Sequence, residues 1–178
     1  MPIEIRPANE SDFEGIMTVA RASLGFAYRD IYDEAHLQEF LPIHYGPKRL
    51  SELLVRARLG STLFNVAVDG TEVVGFACAG QTAGGLELHR LYAHPAVIGK
   101  GIGKRLLESV EAFARSCGFT TYYCFVHSRN EVAKQFYLRA GFRHLERRDR
   151  EEDWWMHKRL EPRWKEVPRL LRRIAARV

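Results

Sequence analysis

The stretch Ala93–Leu107, AHPAVIGKGIGKRLL, governs how the rest of the chain is read. It passes through His94-Pro95 into glycines at 99, 101 and 103, then into a helical pattern of Ile102, Leu106, Leu107, Val110, Phe113 and Ala114 that Gly118 stops. A helix start leaves its first N–H groups unpartnered and carries the positive end of the helix dipole, and residues without Cβ let an anion approach closely. Three glycines at alternate positions feeding directly into a helix are therefore read as a phosphate-binding loop. Two nucleotide-binding signatures fail here. G-x-G-x-x-G would need glycine at Lys104 or Leu106, and a Walker loop would need glycine at His94 and a hydroxyl after Lys100.

Working outward, Leu63–Val68 and Val73–Ala79 read as strands joined through Asp69-Gly70, and Leu86–Ala93 as a third strand ended by His94-Pro95. Thr120–Val126 is strand-like, Asn130–Ala140 is an amphipathic helix stopped at Gly141, and Phe142–Arg148 with Trp154–Leu160 read as a closing strand pair. Toward the N-terminus, Ile3 and Ile5 mark a short strand. A first helix follows, with Ser11 and Glu14 as a capping box and Phe13, Ile16, Met17, Ala20 and Leu24 at helical spacing. Gly25–Gly60 reads as a helical flank interrupted at Pro42 and Pro47. The order predicts an α/β (α+β) domain over residues 1–162.

The chain has 178 residues, 46% of them hydrophobic, room for one well-cored domain but not a second of full size. No apolar run approaches the roughly 20 residues that span a bilayer. The net charge of +5 lies wholly in residues 163–178, which hold six basic residues and one acid; the first 162 residues are formally neutral. A nucleic-acid grip by the body is thus disfavoured. Trp164, Val167, Leu170, Leu171, Ile174 and Val178 recur at helical spacing among the arginines, so 163–178 is read as a basic amphipathic helical extension. Its apolar stripe is expected to dock on the body, on another subunit as in a homodimer, or on an anionic surface. Cys78, Cys117 and Cys124 lack metal or redox spacing and are expected to be free, largely buried thiols. MPIEIRPANE has no secretory pattern, which points to a cytoplasmic protein.

Two blocks resemble the GCN5-related N-acetyltransferases. That family's Q/R-x-x-G-x-G/A signature reads Ile98-Gly99-Lys100-Gly101-Ile102-Gly103 here, with isoleucine in place of the first Gln or Arg. Asn130, Ala133, Phe136-Tyr137 and Gly141-Phe142 match N-x-x-A-x-x-F-Y-x-x-x-G-F. The similarity spans about Leu63–Arg148, and IRPANESDFEGI is similar to the family's first strand and helix. The resemblance implies a mixed sheet of about seven strands flanked by about four helices. It implies acetyl-CoA as co-substrate, no metal, and transfer to a primary amine of a small molecule or peptide by direct attack in a ternary complex.

It also implies roles. The cofactor pyrophosphate would rest on Gly99, Lys100, Gly101, Ile102, Gly103 and Lys104. Leu91, Tyr92 and Ala93 would offer backbone groups to the pantetheine, and Asn130 would contact the cofactor as well as cap its helix. Tyr137 would protonate the departing thiolate. Glu87 stands where histone-type members carry their catalytic glutamate. A base is needed because the nucleophile is the neutral amine, and holding an amine of lysine's reference pKa neutral at pH 7 costs roughly 4–5 kcal/mol. His89, two residues along the same strand face, is the alternative base or a relay. Acids at Asp30, Asp33, Glu34, Glu151, Glu152 and Asp153 fall in segments that the family places beside the acceptor. The competing readings are a non-catalytic acyl-CoA-binding module on the same fold and a nucleic-acid contact through the tail.

Overall fold

The computed structural model describes residues 3–161. The helical extension expected at 163–178 lies outside them. Seven strands form one sheet in the order β1-β2-β3-β4-β5-β7-β6: β1 (Glu4–Pro7), β2 (Thr62–Asp69), β3 (Glu72–Thr82), β4 (Gly85–Ala93), β5 (Thr121–His127), β6 (Arg143–His144) and β7 (Asp153–Arg159). Every neighbouring pair is antiparallel except β4 and β5, so the sheet is mixed. The one parallel join needs a long crossover, supplied by the glycine loop and α4 (Ile102–Ser116). Both expected fold features, the sheet and its flanking helices, are present.

Strand alternation divides the apolar residues between two cores. Ala77, Ala79, Leu86, Leu88, Tyr122 and Cys124 bury one face against Ile102, Leu106 and Val110 of α4 and Tyr137 of α5 (Glu131–Arg139). Val66, Val68, Phe76 and Cys78 bury the other against α1 (Phe13–Ala27), α2 (Glu34–Tyr45) and α3 (Pro47–Arg58). The hairpin between β2 and β3 turns on Gly70, at φ +63°, and Thr71, as the Asp69-Gly70 signal predicted.

Three local expectations are corrected. The first capping box is made by Asn9 and Asp12, not by Ser11 and Glu14: Asn9 Oδ1 accepts from Ser11 N–H at 2.8 Å, and Asp12 Oδ2 accepts from Asn9 N–H at 2.8 Å. Asp12 is already held by a two-pronged pair with Arg6, both contacts 2.7 Å, which anchors β1 to the first helix. Pro42 does not interrupt its helix. It removes only the hydrogen bond to the Gln38 carbonyl, and both residues lie on the exposed side where water can serve that oxygen. Phe142–Arg148 forms only a two-residue strand, because Asp149 folds back to accept from Trp155 N–H at 2.7 Å and to meet His144 Nε2 at 2.8 Å. A carboxylate thus stands where a longer strand would have donated backbone.

Burial pushes the Asp12 carboxyl up, but the Arg6 guanidinium and the Asn9 N–H outweigh it and leave its pKa below the ordinary carboxylate value. A lowered folded pKa contributes stability above the unfolded value, near 3.9, that disappears as pH falls through the folded one. Asp12→Asn is therefore expected to cost about 1–3 kcal/mol at pH 7 and distinctly less at pH 3. Urea titrations at both pH values check this; an equal deficit at each would refute it.

Candidate active site

β4 and β5 pair only at Leu86–Tyr122 and Glu87–Tyr123 and then diverge. From Leu88 on, the β5-facing edge of β4 has no strand beside it. A bulge begins the divergence: Cys78 pairs with Arg90 and Ala79 with Leu88, leaving His89 as the extra residue. Beyond the bulge the alternation is regular. His94 N–H donates to Val74 O at 2.9 Å, which assigns Tyr92, opposite Phe76, to the pairs that bond β3. Leu91 and Ala93 then direct their N–H and C=O groups toward the gap, and Ser23 Oγ donates to Ala93 O at 2.9 Å. Of the three residues expected to offer backbone there, Tyr92 faces β3 instead. Its ring joins Phe76 and Tyr45, with centroids 5.4 and 6.1 Å away.

The gap leads to the glycine loop. Gly99 and Gly101 hold φ of +84° and +78°, and a Cβ at either would meet no protein atom within 4 Å. Glycine is needed for the backbone conformation, with Gly101 as N-cap of α4. Lys100 N–H donates to Val97 O at 3.2 Å and Arg105 N–H to Gly101 O at 3.1 Å; among the described residues the N–H groups of Gly99, Gly101, Ile102, Gly103 and Lys104 have no backbone acceptor. With no acid in the first turn of α4, they form an anion cradle at the positive end of a four-turn helix. Lys100 and Lys104 are exposed, and Lys104 lies 4.0 Å from Glu108 on its own helix. Gly103 has another reason to lack a side chain, since a Cβ there would stand 3.1 Å from the Phe136 ring of α5. Gly103→Val should force the two helices apart and cost about 1–3 kcal/mol. A thermal melt unchanged from wild type would refute that.

Asn130 caps α5 through Oδ1, which accepts from Ala133 N–H at 3.0 Å, and is itself buried. Two turns on, Tyr137 packs against Phe142 with ring centroids 4.9 Å apart. Burial raises the Tyr137 phenol well above its ordinary value, with Cys124 of β5 and Tyr28 after α1 adding to the shift; among the described residues no side chain hydrogen-bonds its hydroxyl. Tyr137 belongs to the core between α4 and the sheet, which Cys124 of β5 also joins, while Tyr28 packs against the core on the other face.

Glu87 faces away from α4, opposite in direction to the buried Leu86 and Leu88. Its Oε1 lies 3.1 Å from His89 Nδ1, and its Oε2 accepts from the Tyr123 hydroxyl at 3.0 Å. The bond to His89 holds the Glu87 carboxyl below its ordinary pKa, against the effect of burial. A cleft of about 260 Å³, lined in part by Gly84, Tyr123, Trp155 and His157, opens at this end of the sheet. The acid-bearing segments meet through two loop contacts: Arg129 donates to Asp30 O at 2.8 Å and Ser128 N–H to Glu152 O at 2.7 Å. Asp33, however, caps α2, and Glu152 lies 3.2 Å from His127 Nε2. Tyr28, Tyr123 and Thr82 were not anticipated. Their placement depends on loop closure and on strand register, which no local pattern encodes.

One parallel join brings together a glycine loop at a helix start and a strand edge that its neighbour leaves beyond Glu87. The acetyltransferase (GNAT) family model matches residues 26–142. The chain belongs to this family. Acetyl transfer is the activity that membership carries. Among solved structures, the PaiA N-acetyltransferase of Thermoplasma acidophilum in complex with coenzyme A is 31% identical, with 89% of this chain and 99% of that one covered and a TM-score of 0.84. An acetyltransferase of Thermus thermophilus is 21% identical over 90% of this chain and 98% of that one, at a TM-score of 0.71. The putative acetyltransferase YncA of Salmonella typhimurium, solved with acetyl-CoA, is 20% identical over 94% and 98%, at 0.61; these last two show the shared fold. No curated protein sequence matches the chain. Burial raises the Cys78 thiol to about 11 and pushes Cys124 upward too, which disfavours a thiolate at either.

Proposed function

We propose that the protein is an acetyl-CoA-dependent N-acetyltransferase that moves the acetyl group to a primary amine by direct attack in a ternary complex. The observation that carries this reading is the divergence of β4 from β5 toward five unpartnered N–H groups at the start of α4. That arrangement suits a ligand with a diphosphate at one end and amides along an extended arm. The diphosphate would be held by the backbone of Gly99–Lys104, with Lys100 and Lys104 adding charge. The arm would pair with Leu91 and Ala93, and Asn130 would contact it from α5. Acetyl-CoA supplies an activated acetyl thioester. Everything else falls to the protein.

The acceptor ammonium gives up one proton before attack and a second as the amide forms. The Glu87–His89 pair takes the first, directly or through water. The Tyr137 hydroxyl, kept protonated by burial, gives its proton to the sulfur as the carbon–sulfur bond breaks and is restored by the second. N–H groups at the β4 edge stabilise charge on the carbonyl oxygen. The acids around Asp30 and Asp153 favour a cationic small-molecule or peptide amine. Residues 1–162 are the catalytic domain and 163–178 a basic extension of it. No helix among the described residues is long and apolar enough to cross a membrane. The free thiols suit a reducing compartment, and we place the protein in the cytoplasm.

Saturating acetyl-CoA should raise the melting temperature, since about 2.7 kcal/mol is gained at 100 times Kd. It should also yield free coenzyme A with at least one primary amine. Absence of the thermal shift would overturn the binding claim. A shift without coenzyme A release from any amine would favour the acyl-CoA-binding module.

A further inference from the structure

Glu87 has no oxygen left uncommitted. Oε1 meets His89 Nδ1 at 3.1 Å and Oε2 meets the Tyr123 hydroxyl at 3.0 Å. The tyrosine is gripped in turn: Thr82 Oγ1 lies 2.8 Å from its hydroxyl, and Gly84 N–H donates to that same Thr82 oxygen at 3.1 Å. Gly84 closes over the group so tightly that a Cβ there would stand 3.1 Å from the Tyr123 hydroxyl. β3, its turn into β4, β4 itself and β5 thus converge on one carboxylate. Such a carboxylate is well placed to orient a neighbour and poorly placed to abstract a proton itself.

The neighbour is His89. An ionised carboxylate only accepts, so Nδ1 must carry hydrogen to bond it, and the neutral ring then has its lone pair at Nε2. Nε2 lies over Gly80, where an added Cβ would approach it to 3.3 Å, and the side chain keeps 36% of its surface exposed. The bulge makes this possible by giving β4 one residue more than β3 requires at that point. Facing the pair are Tyr123 from β5, Thr82 from β3, Thr62 at the start of β2 with Ser61 just before it, and Arg150, whose guanidinium lies 4.1 Å over the Phe125 ring.

We infer that His89 Nε2 is the proton acceptor for the acceptor amine, directly or through one water, and that Glu87, Tyr123 and Thr82 are positioning residues that fix its tautomer. The inference rests on the acetyl-transfer reading and assigns the proton within it. The ammonium N–H bond breaks and its proton goes to Nε2. The freed nitrogen pair forms the bond to the acetyl carbon as the carbon–sulfur pair leaves to sulfur, which takes the Tyr137 proton while the second nitrogen proton restores Tyr137. Nδ1–H stays with Glu87 throughout, and the Nε2 proton passes to solvent. An imidazole's ordinary pKa lies near operating pH, whereas this glutamate is held below its ordinary value by His89.

The test uses the full chain saturated with coenzyme A. Nitrogen-15 NMR should show His89 as the Nδ1–H tautomer, and Glu87→Ala, which removes the oxygen that holds Nδ1–H, should shift the ring toward the Nε2–H form. With acetyl-CoA and a panel of benzylamine, n-butylamine and Nα-acetyl-lysine methylamide, kcat should fall in Glu87→Ala along with that tautomer while the dissociation constant of acetyl-CoA holds. Tyr123→Phe should do less to both. His89→Asn should lower kcat by roughly 10²–10⁴. An Nε2–H ring in the wild type, an unchanged tautomer in Glu87→Ala, or wild-type kcat in His89→Asn overturns the inference. Failure of the wild type to release coenzyme A with every amine overturns the acetyl-transfer reading instead, and the NMR arm, which needs no turnover, tells the two apart.

Discussion

Gly101→Val is expected to weaken acetyl-CoA binding by roughly 100-fold, an effect of about 3 kcal/mol, while leaving the unliganded domain folded. Gly101 is at φ +78°, where an L side chain costs about 1–2 kcal/mol and a β-branched one more. The loop would relieve that strain by rotating Gly101 and its neighbours out of the left-handed turn, and the N–H groups of Gly101, Ile102 and Gly103 would no longer converge. Hydrogen bonds to a charged acceptor are worth about 1.5–3 kcal/mol each, so misdirecting one or two accounts for the loss. The core is spared, because a Cβ on Gly101 meets no protein atom within 4 Å. Calorimetric titration with acetyl-CoA reads the effect. Wild-type affinity would mean that the cradle is not where the diphosphate binds.

Tyr137→Phe should lower kcat by about 10²–10⁴ with the dissociation constant of acetyl-CoA little changed. The ring is held by Phe142 and Phe136, and phenylalanine keeps those contacts. The hydroxyl serves no side-chain hydrogen bond, so its removal strands no partner and the melting temperature should hold. A structural tyrosine would show the reverse, a fall in stability with turnover intact. Steady-state kinetics alongside a thermal melt separates these outcomes, and undiminished kcat would remove the proton-donor role.

Both predictions lean on residues that were legible early, for different reasons. Gly99, Gly101 and Gly103 could be read because a helix start announces itself locally, through the run of glycines and the apolar spacing behind it. The same locality made Asn130 readable as a cap. Yet the three glycines divide their work in a way no spacing reveals: two are needed for positive φ and the third for the approach of Phe136. Leu91, Tyr92 and Ala93 were equivalent on paper. Tyr92 is separated from the other two by the parity of the β3–β4 ladder, which the bulge at His89 resets. Glu87 and His89 were visible as neighbours on one face, but not the hold on Glu87, because Tyr123 reaches it across 36 residues of chain and is itself met by Thr82 from 41 residues away.

By itself the sequence determined the order of strands and helices, the position of the anion cradle and the family, since each depends on periodicity, capping and glycine placement within a few residues. It also confined the positive charge to the last segment. Only the tertiary structure decided that β4 and β5 touch at two residue pairs and then part, that Tyr137 packs against Phe142, and that both oxygens of Glu87 hold partners. The physical reason is register. Which backbone groups bond, and which side chains meet across a parallel join, depends on how two distant strands slide against each other, and that is settled by the packing of both cores at once.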